Sequence, residues 1–146
     1  MQIADFLASD NVLCDVRASD KERLLGELTG RAANALRLDA ASLADAIAKR
    51  EQLGSTGMGD GIAIPHARIA ALSKPFGVLA RLRRPIDFAA IDGRPVDIVF
   101  LLLLPATPPG EQLTALASVA RKLRDAETVA RLRRARDAAE MCRAVL

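Results

Sequence analysis

Helical periodicities, short β-compatible runs, one long apolar run and further helical periodicities follow one another with no repeat, low-complexity segment or linker. That order predicts a single-domain α/β sandwich spanning residues 1–146. A chain of this length suits one domain and can bury roughly 70% of its unfolded surface, so a core needs no staples. With no Trp, no Tyr and only four Phe, that core must be built mainly from Leu, Ile, Val and Ala.

The elements are read in order. Ser19-Asp20-Lys21-Glu22 matches the S-x-x-E capping box and opens a helix with Leu24, Leu25, Leu28, Ala32 and Leu36 on one face. Asp39 can cap a second helix carrying Leu43, Ala46, Ile47 and Arg50, which Gly54 stops. A glycine-rich loop follows. Ile62-Ala63-Ile64 is short and β-compatible, and Pro65, lacking an N–H, is expected to bar His66 from a regular ladder. Phe76–Leu82 partly alternates and reads as a strand. Ile86–Asp92 is bounded by Pro85 and the turn signal Asp92-Gly93.

Val96–Leu104 (VDIVFLLLL) is continuous apolar β material, placed at the centre of a sheet covered on both faces. Pro105 is expected to end it, and Pro108-Pro109-Gly110 to form a rigid loop. Glu111–Leu123 reads as a helix with Leu113, Leu116, Ala117, Ala120 and Leu123 facing inward. Asp125 or Thr128 starts another, and Asp137–Leu146 is the last.

Composition narrows the function classes. The formal charge is +3 and the apolar and charged shares are 51% and 27%, as in ordinary globular proteins. Cys14 and Cys142 lie far apart in no metal-like spacing, so no metal site is expected. The N-terminus lacks the pattern of a signal peptide, and Ile98–Leu104 is too short for a bilayer, which needs about 20 residues. Reduced thiols and a cytoplasmic location, with no membrane insertion, are expected. From Arg121 to Leu146 eight basic residues face four acidic ones, but without an aromatic platform or a helix-turn-helix pattern no nucleic-acid partner is expected.

Chemistry concentrates in the stretch STGMGDGIAIPHARI, Ser55–Ile69, which holds the only histidine of the chain. The loop fails two phosphate-binding tests. Asp60-Gly61 stands where a P-loop needs Lys and Ser/Thr, and Ile62 occupies the third glycine position of a dinucleotide fingerprint. The glycines could instead form a nest of backbone N–H groups for a small oxyanion beside His66, with hydroxyls from Ser55 and Thr56. Arg50, at the end of the preceding helix, could grip the same oxyanion bidentately. A neutral imidazole has one lone-pair nitrogen free to attack phosphorus, provided the other nitrogen is held as a donor, and a backbone carbonyl is the expected acceptor.

The run Arg50–His66 (REQLGSTGMGDGIAIPH) resembles the active-site signature of the fructose/mannitol-type IIA domains of the bacterial phosphotransferase system. The similarity continues through Pro85-Ile86-Asp87-Phe88, Asp92–Asp97, the strand ending at Pro105 and Leu116–Leu123. It implies a mixed β-sheet flanked by helices, with no cofactor. It implies that His66 accepts a phosphoryl group at Nε2, giving a tele-phosphohistidine, from an HPr-type (NPr-like) phosphocarrier. The group then passes to a IIB domain or acts as a regulatory signal, and Arg50 contacts it.

One departure stands out. The family's second histidine is matched by Gln112, or by Thr114 in a register shifted by two. Gln112 can still donate to a phosphoryl oxygen but cannot become cationic. A stand-alone domain of this length resembles the nitrogen-regulatory branch more than a sugar-specific component, so regulatory target proteins are expected. The apolar run Ile62–Pro65 beside His66 is the expected docking face for partners.

Overall fold

The computed structural model describes residues 1–106 and 109–146. Among the described residues, five α-helices and two short 3-10 turns, Ile3–Asp5 and Ser9–Asn11, accompany a six-stranded mixed sheet. In chain order the elements are β1 (Val12–Val16), α1 (Lys21–Leu36), α2 (Ala40–Gln52), β2 (Gly57–Gly59), β3 (Ile62–Ala63), β4 (His66–Ile69), β5 (Phe76–Ile86), β6 (Val96–Pro105), α3 (Pro109–Arg124), α4 (Ala126–Arg134) and α5 (Ala138–Val145). The sheet order is β1-β5-β6-β3-β2, with β4 also paired to β6. β1 runs parallel to β5, and both β3 and β4 run parallel to β6, while β5/β6 and β2/β3 are antiparallel.

β6 organises the core. Successive side chains of a strand face opposite ways. Ile98, Phe100, Leu102 and Leu104 enter a cluster with Val119 and Leu123 of α3, Leu132 of α4 and Met141 of α5. Val99, Leu101 and Leu103 enter a second cluster with Leu24 and Leu28 of α1 and Leu43 and Ile47 of α2. The apolar run is continuous because helices cover both faces, as the sequence implies.

Several local expectations are corrected. Asp20, not Ser19, caps α1, its carboxylate accepting from the Arg23 N–H at 2.8 Å. The glycine-rich stretch is not simply a loop, since Gly57–Gly59 pairs with Ile62–Ala63 as a hairpin. Strands β1 and β4 lacked a legible pattern because each is short and partly exposed. β5 continues through Pro85 to Ile86, where its register with β6 shifts after Arg81, and an irregular stretch tolerates a proline.

Pro65 does not end the ladder. Its own carbonyl accepts from the Leu102 N–H at 2.9 Å, and pairing with β6 resumes at His66. Pro105 closes β6 from inside it, and Pro109-Gly110 already belongs to α3, where a first-turn proline lacks nothing the helix needs. The rest of the expected rigid loop, Pro108, lies outside the described residues. In α3 the buried apolar residues are Ala115, Val119 and Leu123, with Leu116 and Ala120 half-buried, while Leu113 and Ala117 face outward. Of the expected stripe, Leu116, Ala120 and Leu123 face inward and only Leu113 and Ala117 do not.

Of the two starts considered for α4, Asp125 is the cap. Its carboxylate accepts from the Thr128 N–H at 3.0 Å and the Thr128 O–H at 2.7 Å. These bonds hold the Asp125 carboxyl below its ordinary value, the hydroxyl bond contributing most. A depressed folded pKa gives stability that is complete above the ordinary carboxylate range, about 4, and lost as pH falls through the folded value. Removing the cap in Asp125→Ala is expected to lower the thermal midpoint at neutral pH. It should also shrink the loss of midpoint between about pH 5 and pH 2 relative to wild type. Parallel acid-side slopes in scanning calorimetry would contradict the assignment.

Candidate functional site

His66 is the first residue of β4, directly after Pro65. The parallel pairing of His66 with Leu102 fixes the backbone, leaving the ring half-buried. The ring Nδ1 lies 2.8 Å from the Ile64 carbonyl oxygen. A carbonyl oxygen only accepts, so Nδ1 carries the proton and donates. In the neutral ring the lone pair then sits on Nε2.

The imidazole opens onto a cavity of about 690 Å³. Arg50 reaches its wall from the last turn of α2, its Nη1 donating to the Gly54 carbonyl at 2.9 Å. That bond closes the turn leaving the helix and orients the guanidinium. Gln112 enters from the first turns of α3, almost fully buried, with Nε2 donating to the Ala106 carbonyl at 2.7 Å. Among the described residues its second amide N–H and its Oε1 have no further partner. Thr114, the other register considered, is exposed and donates its hydroxyl to the Gly110 carbonyl at 3.0 Å, outside the cavity lining.

Two residues absent from the sequence reading also line the cavity: Lys49, next to Arg50 on α2, and Arg68, two positions after His66 on β4. The strand period puts Arg68 on the side of His66, which was a usable signal had β4 been recognised. Among the described residues, three cations and no carboxylate line this cavity. Lys49 Nζ is paired with Asp45 at 2.9 Å, which leaves the guanidinium forks of Arg50 and Arg68 as the groups whose chemistry suits oxyanions.

Ser55 and Thr56 take other roles. The Ser55 hydroxyl donates to the Phe88 carbonyl at 2.7 Å and accepts from the Gly57 N–H at 3.1 Å. Thr56 is buried, its N–H donating to Glu51 Oε1 at 3.2 Å. Neither lines the cavity. The expected glycine nest is also displaced. Gly59, Asp60 and Gly61 all have positive φ and form the tip of the β2–β3 hairpin. A Cβ on Gly61 would lie 2.8 Å from Asp97 Oδ1, and one on Gly59 would lie 3.3 Å from Asp92 Oδ2. A Cβ on Gly61 would also meet Arg133 Nη2, whose guanidinium pairs with Asp97, so the space a nest would need is filled by side chains and the glycines serve a tight turn.

A buried relay supports the ring from behind. Lys21 Nζ of α1 pairs with Glu51 Oε1 at 2.8 Å, and Glu51 also accepts from Thr56 N–H. Thr56 C=O accepts from the Ile64 N–H at 3.1 Å, and Ile64 C=O in turn accepts from His66. Glu51 Oε2 and Thr56 Oγ1 are buried without partners among the described residues. Sequence reading noticed Glu51 only as the neighbour of Arg50.

The expected docking face is corrected. Ile62, Ala63, Ile64 and Pro65 are all buried, since they belong to β3 and its link to β4. The exposed apolar groups at the cavity mouth are instead Leu53, which caps the C-terminus of α2, and Leu113 of α3, 85% and 72% exposed. Both thiols, Cys14 and Cys142, are half-buried, and burial pushes each above its ordinary pKa. No helix among the described residues is long and apolar enough to cross a membrane.

Residues 5–146 match the family described as phosphoenolpyruvate-dependent sugar phosphotransferase system, EIIA 2. A nitrogen regulatory protein of Bradyrhizobium diazoefficiens is 43% identical over 138 residues, which is 94% of this chain and 90% of that protein. A fructose-specific EIIA component of the phosphotransferase system from Haloferax volcanii is 39% identical over 104 residues, 70% of this chain and 68% of that one. The crystal structure of nitrogen regulatory protein IIA-Ntr from Neisseria meningitidis superposes with a TM-score of 0.93 at 33% identity, covering 99% of both chains. The chain thus belongs to the EIIA 2 family of the phosphotransferase system and is similar to its nitrogen regulatory proteins.

Proposed function

We propose that the chain is a phosphohistidine carrier that accepts a phosphoryl group on Nε2 of His66 from an HPr-type phosphocarrier and reports to partner proteins through its phosphorylation state. The observation that carries this reading is the Nδ1 contact to the Ile64 carbonyl beside a cavity walled by Arg50. That contact presents the Nε2 lone pair without waiting for a proton to leave. In the transfer, a bond forms from Nε2 to phosphorus while the bond from phosphorus to the donor atom breaks, the electron pair leaving with the donor. The Nδ1 proton stays in place.

Because little covalent work remains for the protein, positioning and charge compensation account for the rate. Arg50, Arg68 and Lys49 stand where the phosphoryl oxygens would gather charge. Gln112 can donate one neutral N–H there but adds no charge. The relay through Glu51 acts only by position, holding the Thr56–Ile64 pairing that aims the Ile64 carbonyl at the ring.

Regulation is favoured over sugar transport by the nitrogen regulatory relatives matching nearly the whole chain. Phosphorylation adds up to about two negative charges. Placed between Leu53 and Leu113, that charge changes which partner surface the mouth accepts. The alternative, delivery to a IIB domain for sugar uptake, is supported by the fructose-specific relative.

Incubation with labelled phosphoenolpyruvate, the first enzyme of the system and an HPr-type carrier should label the wild type and leave His66→Ala unlabelled. Equal labelling of both would refute the site. Arg50→Gln should label on the order of 10²-fold more slowly. Glu51→Gln should lose about 1–3 kcal/mol in urea denaturation, since Lys21 keeps a weaker acceptor. Its labelling rate should also fall at temperatures where it is fully folded; an unchanged rate would confine Glu51 to stability. Leu53→Asp combined with Leu113→Asp should raise the carrier concentration needed for half-maximal labelling without altering the plateau rate.

A further inference from the structure

A second cluster of cations lies at the other end of the sheet. Arg17, Arg83 and Arg84, with Ala18 and Ser19, line a cleft of about 460 Å³. Its place relative to His66 follows from register. His66 pairs with Leu102 of β6, whereas Ile86, just beyond the two arginines, pairs with Val96. That separation along β6 is about 20 Å at the rise of a strand. β4 and β5 also flank opposite edges of β6, so the two sites are distinct.

The ladder explains how the arginines meet. Val16 pairs with Leu82, which sets Arg17 beside Arg83 as the chain leaves β1. Consecutive residues of a regular strand face opposite ways. Arg83 and Arg84 fall within the register shift between Arg81 and Ile86, and there both line one cleft. Neighbouring Arg81 shows what a structural arginine does here. It is largely buried, pairs with Asp15 at 3.1 Å and donates to the Leu132 carbonyl at 2.9 Å.

Arg17, Arg83 and Arg84 are all exposed and have no carboxylate or carbonyl partner among the described residues. The nearby acid in sequence, Asp20, is committed to the α1 cap and to Arg23. Three like charges gathered round one concavity repel each other unless an anion joins them.

We infer that this cleft is a second anion site, taking a small polyphosphate such as the phosphate chain of a nucleotide, separate from the His66 cavity. Guanidinium forks match phosphate oxygens bidentately, and three of them suit an anion with several phosphates better than a single one. The volume lies in the range of small-molecule sites, about 300–1,000 Å³. Ser19 adds a hydroxyl at the rim.

Isothermal titration of inorganic tripolyphosphate into the full chain at low salt tests this. Wild type should bind, and Arg17→Gln, Arg83→Gln and Arg84→Gln should each weaken binding about tenfold. The triple variant should show none while keeping its circular dichroism spectrum and its phosphoenolpyruvate-dependent labelling of His66. Arg50→Gln should bind tripolyphosphate like wild type. Absence of binding to wild type would overturn the inference, as would binding lost in Arg50→Gln but kept in the triple variant. Tighter binding of a 20-base-pair duplex than of tripolyphosphate, lost in the triple variant, would overturn it in favour of a nucleic-acid surface.

Discussion

The hydrogen bond from the Leu102 N–H to the Pro65 carbonyl, 2.9 Å long, is the contact on which the site depends. β3 and β4 share one edge of β6, with Ile64-Pro65 between them. A proline there removes a donor, and without a compensating acceptor contact the chain would peel away from the sheet. The Pro65 carbonyl keeps the edge bound, so His66 re-enters the ladder at a fixed register. The same short link turns the Ile64 carbonyl back onto Nδ1. Chain direction, ring orientation and tautomer are therefore set by one two-residue connection held against the most deeply buried strand of the molecule.

That strand can serve as an anchor because both its faces are closed. Phe100 and Leu102 look toward α3, α4 and α5, while Leu101 and Leu103 look toward α1 and α2. The helices that complete these two clusters are also those that bring side chains to His66. α2 delivers Lys49 and Arg50 at its end, and α3 delivers Gln112 at its start. Packing and chemistry are coupled by this arrangement. A shift of either helix on the sheet changes the cavity as well as the core.

Charge is divided with equal economy. Among the described residues the charged groups lining the His66 cavity are all cations, while the hairpin tip carries Asp60 and lies against Asp92 and Asp97, with Arg94 paired to Asp60 and Arg133 to Asp97. A glycine-rich stretch next to a histidine invites a phosphate-cradle reading, and here the fold assigns the glycines to a turn. The close approach of Gly57 to Ala90, where a Cβ would lie 2.8 Å from the alanine Cβ, is a packing demand of the same kind. The side chains that do line the His66 cavity are scattered along the primary structure over more than sixty positions, from Arg50 to Gln112.

The sequence by itself determined the α/β class, α1, α2 and the central strand, because their periodicities are long and each was decided by its own residues. It also drew attention to His66 and Arg50, since both lie within one long signature run, whereas Gln112 or Thr114 came into view only through the family resemblance. What it could not determine was the identity of short edge strands, the inward face of α3, and the company His66 keeps. β4 is only four residues long, and its pairing with β6 is a contact between distant segments that no local pattern encodes. Lys49 and Arg68 joined the cavity, and Ser55 and Thr56 left it, for that reason. Which side chains share a space is decided by how helices seat on a sheet, and only the tertiary structure holds that information.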